Sequence, residues 1–70
     1  MITPAIGTCW RHRKRGTVYV VDSVVTGQGD GIEGVAVVVY TGAARDYWCR
    51  RLDEFLARFV QVSPQDGQPL

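Results

Sequence analysis

Short apolar, strand-like stretches separated by glycine-rich or charged turns make up most of the chain, and one short segment follows a helical period instead. Residues 8–12 (TCWRH) alternate well enough to form a first strand, because successive strand side chains project to opposite faces. Residues 13–16 (RKRG) follow as a charged turn closed by glycine. The strongest strand signal is the long β-branched run at residues 17–26 (TVYVVDSVVT). Asp22-Ser23 in its middle predicts a bend or bulge, which a barrel strand needs to change direction. Three glycines within residues 27–31 (GQGDG) predict a mobile loop. Residues 35–41 (VAVVVYT) are apolar on both faces and predict a third, central strand. A hairpin turn at 42–46 leads into a fourth strand at 47–51 (YWCRR). The period then changes. In residues 52–57 (LDEFLA), Leu52, Phe55 and Leu56 share one helical face. So short a piece suits a single 3-10 or α turn. A fifth strand is predicted at 58–62 (RFVQV), and residues 63–70, with two prolines and a glycine, read as a frayed tail.

Four strands, one helical turn and a last short strand form the element order of an SH3-like barrel. The expected fold is therefore all-β: a small five-stranded SH3-like barrel over residues 8–62, after a lead-in at 1–7 and before a flexible tail at 63–70. No long helical pattern separates the strands, which argues against a parallel α/β sheet. No internal repeat is present.

Composition sharpens this picture. A chain of 70 residues makes one domain and buries only roughly 60% of its unfolded surface. Such domains lean on disulfides, a metal or oligomerisation. A hydrophobic fraction of 46% excludes a disordered chain. Two cysteines, Cys9 and Cys49, are too few for a disulfide framework, and no C-x-x-C spacing points to zinc. They read as reduced cysteines packed like small hydrophobes, with a single cross-strand bridge as the alternative. Residues 1–6 lack the basic start and apolar run of a signal peptide, and no apolar run reaches the ~18 residues of a membrane span. The expected location is the cytoplasm of a bacterial cell or a phage-infected host.

The net charge of +1 hides an uneven layout. Four of the eight basic side chains lie at Arg11, Arg13, Lys14 and Arg15, while residues 22–33 carry only acids. That layout predicts one anionic contact site and not a general nucleic-acid coat.

Trp10-Arg11-His12-x-Lys14-x-Gly16, Tyr19-x-Val21, Val39-Tyr40 and Trp48-x-Arg50-x-Leu52-x-x-Phe55 together resemble a family of small bacterial and phage proteins of unknown function. Its pattern opens on an aromatic-Arg-His-x-Lys-Gly stretch and ends on Trp-x-Arg-Pro-Leu-x-x-Phe. The likeness spans residues 10–62. Arg15 intervenes before the glycine here, and Arg51 stands where the family often has proline. The resemblance implies a small β-barrel and almost nothing about function.

In the fourth strand Tyr47, Cys49 and Arg51 share one face, and Trp48 and Arg50 the other. Cys49 is the burial-prone member, and the resemblance implies aliphatic residues at 47 and 49. Cys49 is thus expected to face the core, which leaves Trp48 and Arg50 together outside. An outward Trp beside an Arg suits a planar ring and an anionic group. The competing reading has Trp48 covering an open end of the barrel or packing on a sister subunit, with Arg50 bonded to Glu54 or Asp53.

His12 shares its face with Trp10. It reads either as a partly buried ring bonded to backbone or carboxylate, or as a ligand contact whose pKa is lowered by Arg11 and Arg13. It has no evident nucleophile, since Cys9 lies on the opposite face. Asp53 and Glu54 are adjacent and cannot flank a substrate. Arg13-Lys14-Arg15 is either a solvated hairpin tip or a phosphate clamp at the barrel mouth. The glycines at 27–31 precede no helix, so they read as a flexible lid or a plain linker and not as a phosphate loop.

The residues thus predict a non-enzymatic binding protein without cofactor or metal. The favoured ligand is small, anionic and nucleotide-derived, stacked on Trp10, Tyr40 or Trp48 and held by Arg11, His12, Arg13 and Arg50. A chain this small has little room for a deep pocket, so the site is expected between subunits of a homo-oligomer. With the phage side of the resemblance, one form of this role is a sponge that sequesters a host defence messenger. Two alternatives stay open: a nucleic-acid-binding barrel, against which the near-neutral charge counts, and an adaptor or inhibitor docked on a host defence protein.

Overall fold

In a computed structural model, which describes residues 3–63, the chain forms strands β1 (Cys9–His12), β2 (Val18–Thr26), β3 (Ala36–Thr41) and β4 (Tyr47–Arg51), helix α1 (Leu52–Arg58) and strand β5 (Phe59–Val62). The strands make one antiparallel sheet in the order β4-β3-β2-β1-β5. This is a small five-stranded SH3-like barrel, as the element order predicted. Each predicted element is present, with ends displaced by about one residue at strand or helix termini that fray readily. The helical piece is a seven-residue α-helix. Of the predicted tail at 63–70, residues 64–70 lie outside the described residues.

The sheet curls because β2 bends. Pairing with β3 runs Val21↔Tyr40 and then Ser23↔Val39, so Asp22 is the extra residue of a bulge. On either side of it Val21 and Val24 both face the core. Helix α1 closes the concave side. Asp53 and Glu54 sit in its first turn and Arg58 in its last, which matches the helix dipole. Leu52 and Phe55 are buried beneath it.

The core is made of rings. Phe55 and Phe59 stack with centroids 4.3 Å apart. Trp10 meets Phe55 edge-on at 5.2 Å, and Tyr40 meets Phe59 at 5.2 Å. Tyr19 packs edge-on against Tyr40, also at 5.2 Å. The chain has seven aromatic residues, and these five form a continuous cluster in which edge-to-face geometry adds to area burial. The remaining two, Tyr47 and Trp48, are consecutive on β4 and exposed.

Of the two readings of the glycine loop, a flexible lid or a plain linker, its position as the connection between β2 and β3 fits the linker. Gly27 N–H donates to Val35 O and Gly34 N–H to Gly27 O, which ties the base of the loop shut. Ile32 then packs so close to buried Gly27 that a Cβ there would lie 2.5 Å from the Ile32 carbonyl oxygen. The loop lies at the far ends of β2 and β3, opposite the 13–17 and 42–46 turns. It cannot cover anything at that end.

The two cysteines are free, as the reading of reduced cysteines expected; the alternative bridge is absent, and of the two only Cys9 is partly buried. Cys49 is exposed and not packed in the core. Cys9 on β1 and Cys49 on β4 are separated by β2 and β3. Three strand spacings amount to roughly 14 Å, beyond disulfide reach.

Candidate functional site

The hairpin turns at 13–17 and 42–46 meet at one end of the barrel, because β1 ends and β2 begins there, as β3 ends and β4 begins. His12 N–H donates to Thr17 O and Gly16 N–H to His12 O; Gly16, at φ +76°, supplies the left-handed residue this reversal requires. The turn folds back over the barrel mouth, where Arg15 N–H donates to His12 Nδ1 at 3.1 Å.

The expected facing of β4 is reversed. Register pairs Trp48 with Tyr40, Cys49 with Val39 and Arg50 with Val38. Tyr40 and Val38 belong to the core, so Trp48 and Arg50 lie on the concave side of the sheet and Cys49 on the convex side. Trp48 and Arg50 do share a face, as the alternation predicted. Trp48 nevertheless stays 53% exposed, because it stands at the rim where the core ends.

Inside that rim is a hollow of about 160 Å³ lined by His12, Arg15, Tyr19, Tyr40, Trp48, Arg50 and Phe59. A second, about 260 Å³, shares Tyr19 and Trp48 with it, and Thr17, Gly42, Ala43, Ala44 and Asp46 complete its lining. Of the sequence-predicted residues, the fold brings together His12, Tyr40, Trp48 and Arg50. It leaves three apart. Trp10 is buried against Phe55 and donates from Nε1 to Thr8 Oγ1 at 2.9 Å. Arg11 lies on the other face of β1, and Arg13 is exposed on the turn without lining either hollow. Arg15, Tyr19 and Phe59 are the additions. Tyr19 shares its parity with core-facing Val21, and Phe59 follows Phe55 by one helical turn, so both were traceable in the sequence. The direction of Arg15 depends on how the turn closes.

Arg50 anchors one wall. Its Nε donates to Tyr40 Oη at 3.0 Å, its Nη1 pairs with Glu54 Oε1 at 2.6 Å, and its guanidinium carbon lies 5.9 Å from the Phe59 centroid. This is the Glu54 pairing of the competing reading. The bond to Tyr40 outweighs burial, with Glu54 adding to it, and holds the Arg50 pKa above its ordinary value. Five N–H groups on a guanidinium leave donors beyond these two bonds. His12 is only 5% exposed and its ring packs edge-on against Phe59 at 5.0 Å. Burial lowers its pKa first, and the charges of Arg15, Arg50, Arg58 and Lys14 lower it further. The ring is therefore neutral, and with Nδ1 accepting from Arg15 its proton sits on Nε2.

The hollow thus offers flat ring surface and two cations, one of them partly neutralised by Glu54, beside a neutral imidazole donor. Among the described residues no helix is long and apolar enough to cross a membrane. Comparison of the chain with protein-family models, with curated proteins and with solved structures returned no match.

Proposed function

We propose that this barrel is a binding module for a small planar anion of the nucleotide class, taken at the mouth formed by the two hairpin turns. The observation that carries this is the hollow in which Trp48 stands exposed between two depressions, with Arg15 and Arg50 on its walls. Trp48 is the stacking surface, its ring held upright by the strand below. Arg15 and Arg50 meet the phosphate, Arg50 pre-oriented by Tyr40 and Glu54.

Size favours a fragment. A hollow of about 160 Å³ falls below the roughly 300 Å³ at which sites for drug-sized ligands begin. One base or one phosphate fits on each side of Trp48, so the ligand straddles it. Sequestration of a nucleotide messenger is the biological role proposed for such a site.

Calorimetry against cyclic dinucleotides, cyclic ADP-ribose isomers and mononucleotides is the test. At least one is expected to release heat and quench tryptophan fluorescence. Trp48→Ala and Arg15→Ala are each expected to weaken that ligand roughly tenfold or more, given ~1–3 kcal/mol per stacked base. No heat with any member of the panel overturns the proposal.

A further inference from the structure

His12 is the one histidine of the chain, and it is buried. One edge of its ring is occupied: Nδ1 accepts the Arg15 N–H at 3.1 Å, which leaves the proton on Nε2. The other edge is open. Among the described residues Nε2–H has no acceptor, yet no side-chain nitrogen or oxygen sealed from solvent lacks a partner. Nε2 therefore reaches the outside, and the opening that His12 lines is the hollow at the barrel mouth. The charges around the ring suit the same ligand atom. The turn brings Lys14 and Arg15, β4 brings Arg50, and α1 brings Arg58. From β2 and β3 come the phenols Tyr19 and Tyr40, and from β5 the apolar ring of Phe59. Glu54 on α1 is committed to Arg50 and Arg58, and Asp46 lines the second hollow and not this one. Among the described residues no acid pairs with Lys14 or Arg15.

We infer that an anion enters this hollow together with a proton: His12 Nε2–H donates to it beside Arg15 and Arg50, and the ring becomes an imidazolium as the anion binds. The inference rests on the anion site proposed above and adds His12 and a proton to it. In the free protein burial and four cations oppose a charge on the ring. An anion against Nε2 cancels much of that opposition, so binding favours the protonated ring. The incoming proton comes from solvent and goes to Nδ1, since Nε2 already carries one, and it displaces the Arg15 N–H. That bond is lost on protonation with or without ligand. Its cost cancels between the two states, and the anion sets the sign. Linkage then makes the anion bind more tightly as pH falls.

Sulfate is the probe, because it has the shape of a phosphate group and does not titrate near neutrality. The Hε1 resonance of His12 is unambiguous in a chain with one histidine. It is followed from about pH 8 to about pH 5, where imidazoles titrate, in sodium sulfate and in sodium chloride of equal ionic strength. Sulfate is expected to raise the titration midpoint by about one pH unit or more, and at constant pH to move the resonance saturably. His12→Asn keeps an acceptor for the Arg15 N–H but ends short of the Nε2 position. It is expected to bind sulfate roughly tenfold more weakly, read on the Arg15 and Trp48 backbone amides. His12→Gln, whose amide N–H reaches toward Nε2, is expected to recover part of that loss. A midpoint that is the same in sulfate as in chloride, or a folded His12→Asn that binds sulfate like the parent, overturns the inference. The nucleotide calorimetry is a separate measurement, so a nucleotide that binds and quenches Trp48 leaves the proposed function standing in that case. If His12→Asn fails to fold, the midpoint of the parent decides. If acid unfolds the protein before the ring titrates, proton uptake on adding sulfate at about pH 6.5 decides, and an uptake of zero overturns the inference.

Discussion

His12 sits with its imidazole against Phe59 and its Nδ1 on a backbone N–H, and cations from three elements surround it: Lys14 and Arg15 on the turn, Arg50 on β4 and Arg58 on α1. Its folded pKa lies below the ordinary 6.5 of the unfolded chain. Above that value both states are neutral and the contribution of the ring to stability is whole. As pH falls through it, the unfolded chain takes the proton first and stability drops until the folded ring protonates too. The urea midpoint is expected to fall as pH drops from neutrality toward the range where carboxylates titrate. His12→Asn is expected to flatten that slope. Arg50 gives a second test at this scale. Arg50→Ala leaves the buried Tyr40 hydroxyl and Glu54 without their shared donor, at an expected cost of about 1–2 kcal/mol in urea unfolding. The pairing of Arg50 with Glu54 was legible as an i,i+4 spacing; the bond to Tyr40 depends on strand register.

At the scale of elements, β2 and β3 were legible as β-branched runs bounded by glycine or charged turns, and β1 and β4 by alternation and by the turns beside them. The bulge at Asp22 was legible too, since two polar residues interrupt an apolar strand. The facing of β4 was not. YWCRR carries an aromatic and an arginine on each face, so alternation alone says which residues go together and not where they point. Pairing with Tyr40 and Val38 decides it. In the glycine loop the sequence showed a turn-rich connection but not that Gly27 serves close approach. Gly27→Ala drives a Cβ into the rigid Ile32 carbonyl and is expected to cost about 1–3 kcal/mol, read from the urea midpoint.

The whole molecule has a small core with stacked Phe55 and Phe59 at its centre. Phe55 is fully buried, and Phe55→Ala is expected to cost about 3–5 kcal/mol, much of what a domain of this size has to lose. Circular dichroism of that variant is expected to show a largely unfolded chain at room temperature.

Local chemistry was enough to read the element order, the sheet class and the pairing of side chains by face, because period, β-branching and turn residues act within a few residues of each other. Which face of β4 meets the core, how the basic turn brings Arg15 to the barrel mouth, and why Trp10 is buried while Trp48 is open were decided by contacts between residues far apart in the chain. A one-residue change of register would exchange the two faces of β4, and only the packed rings of Tyr40, Phe55 and Phe59 choose between them.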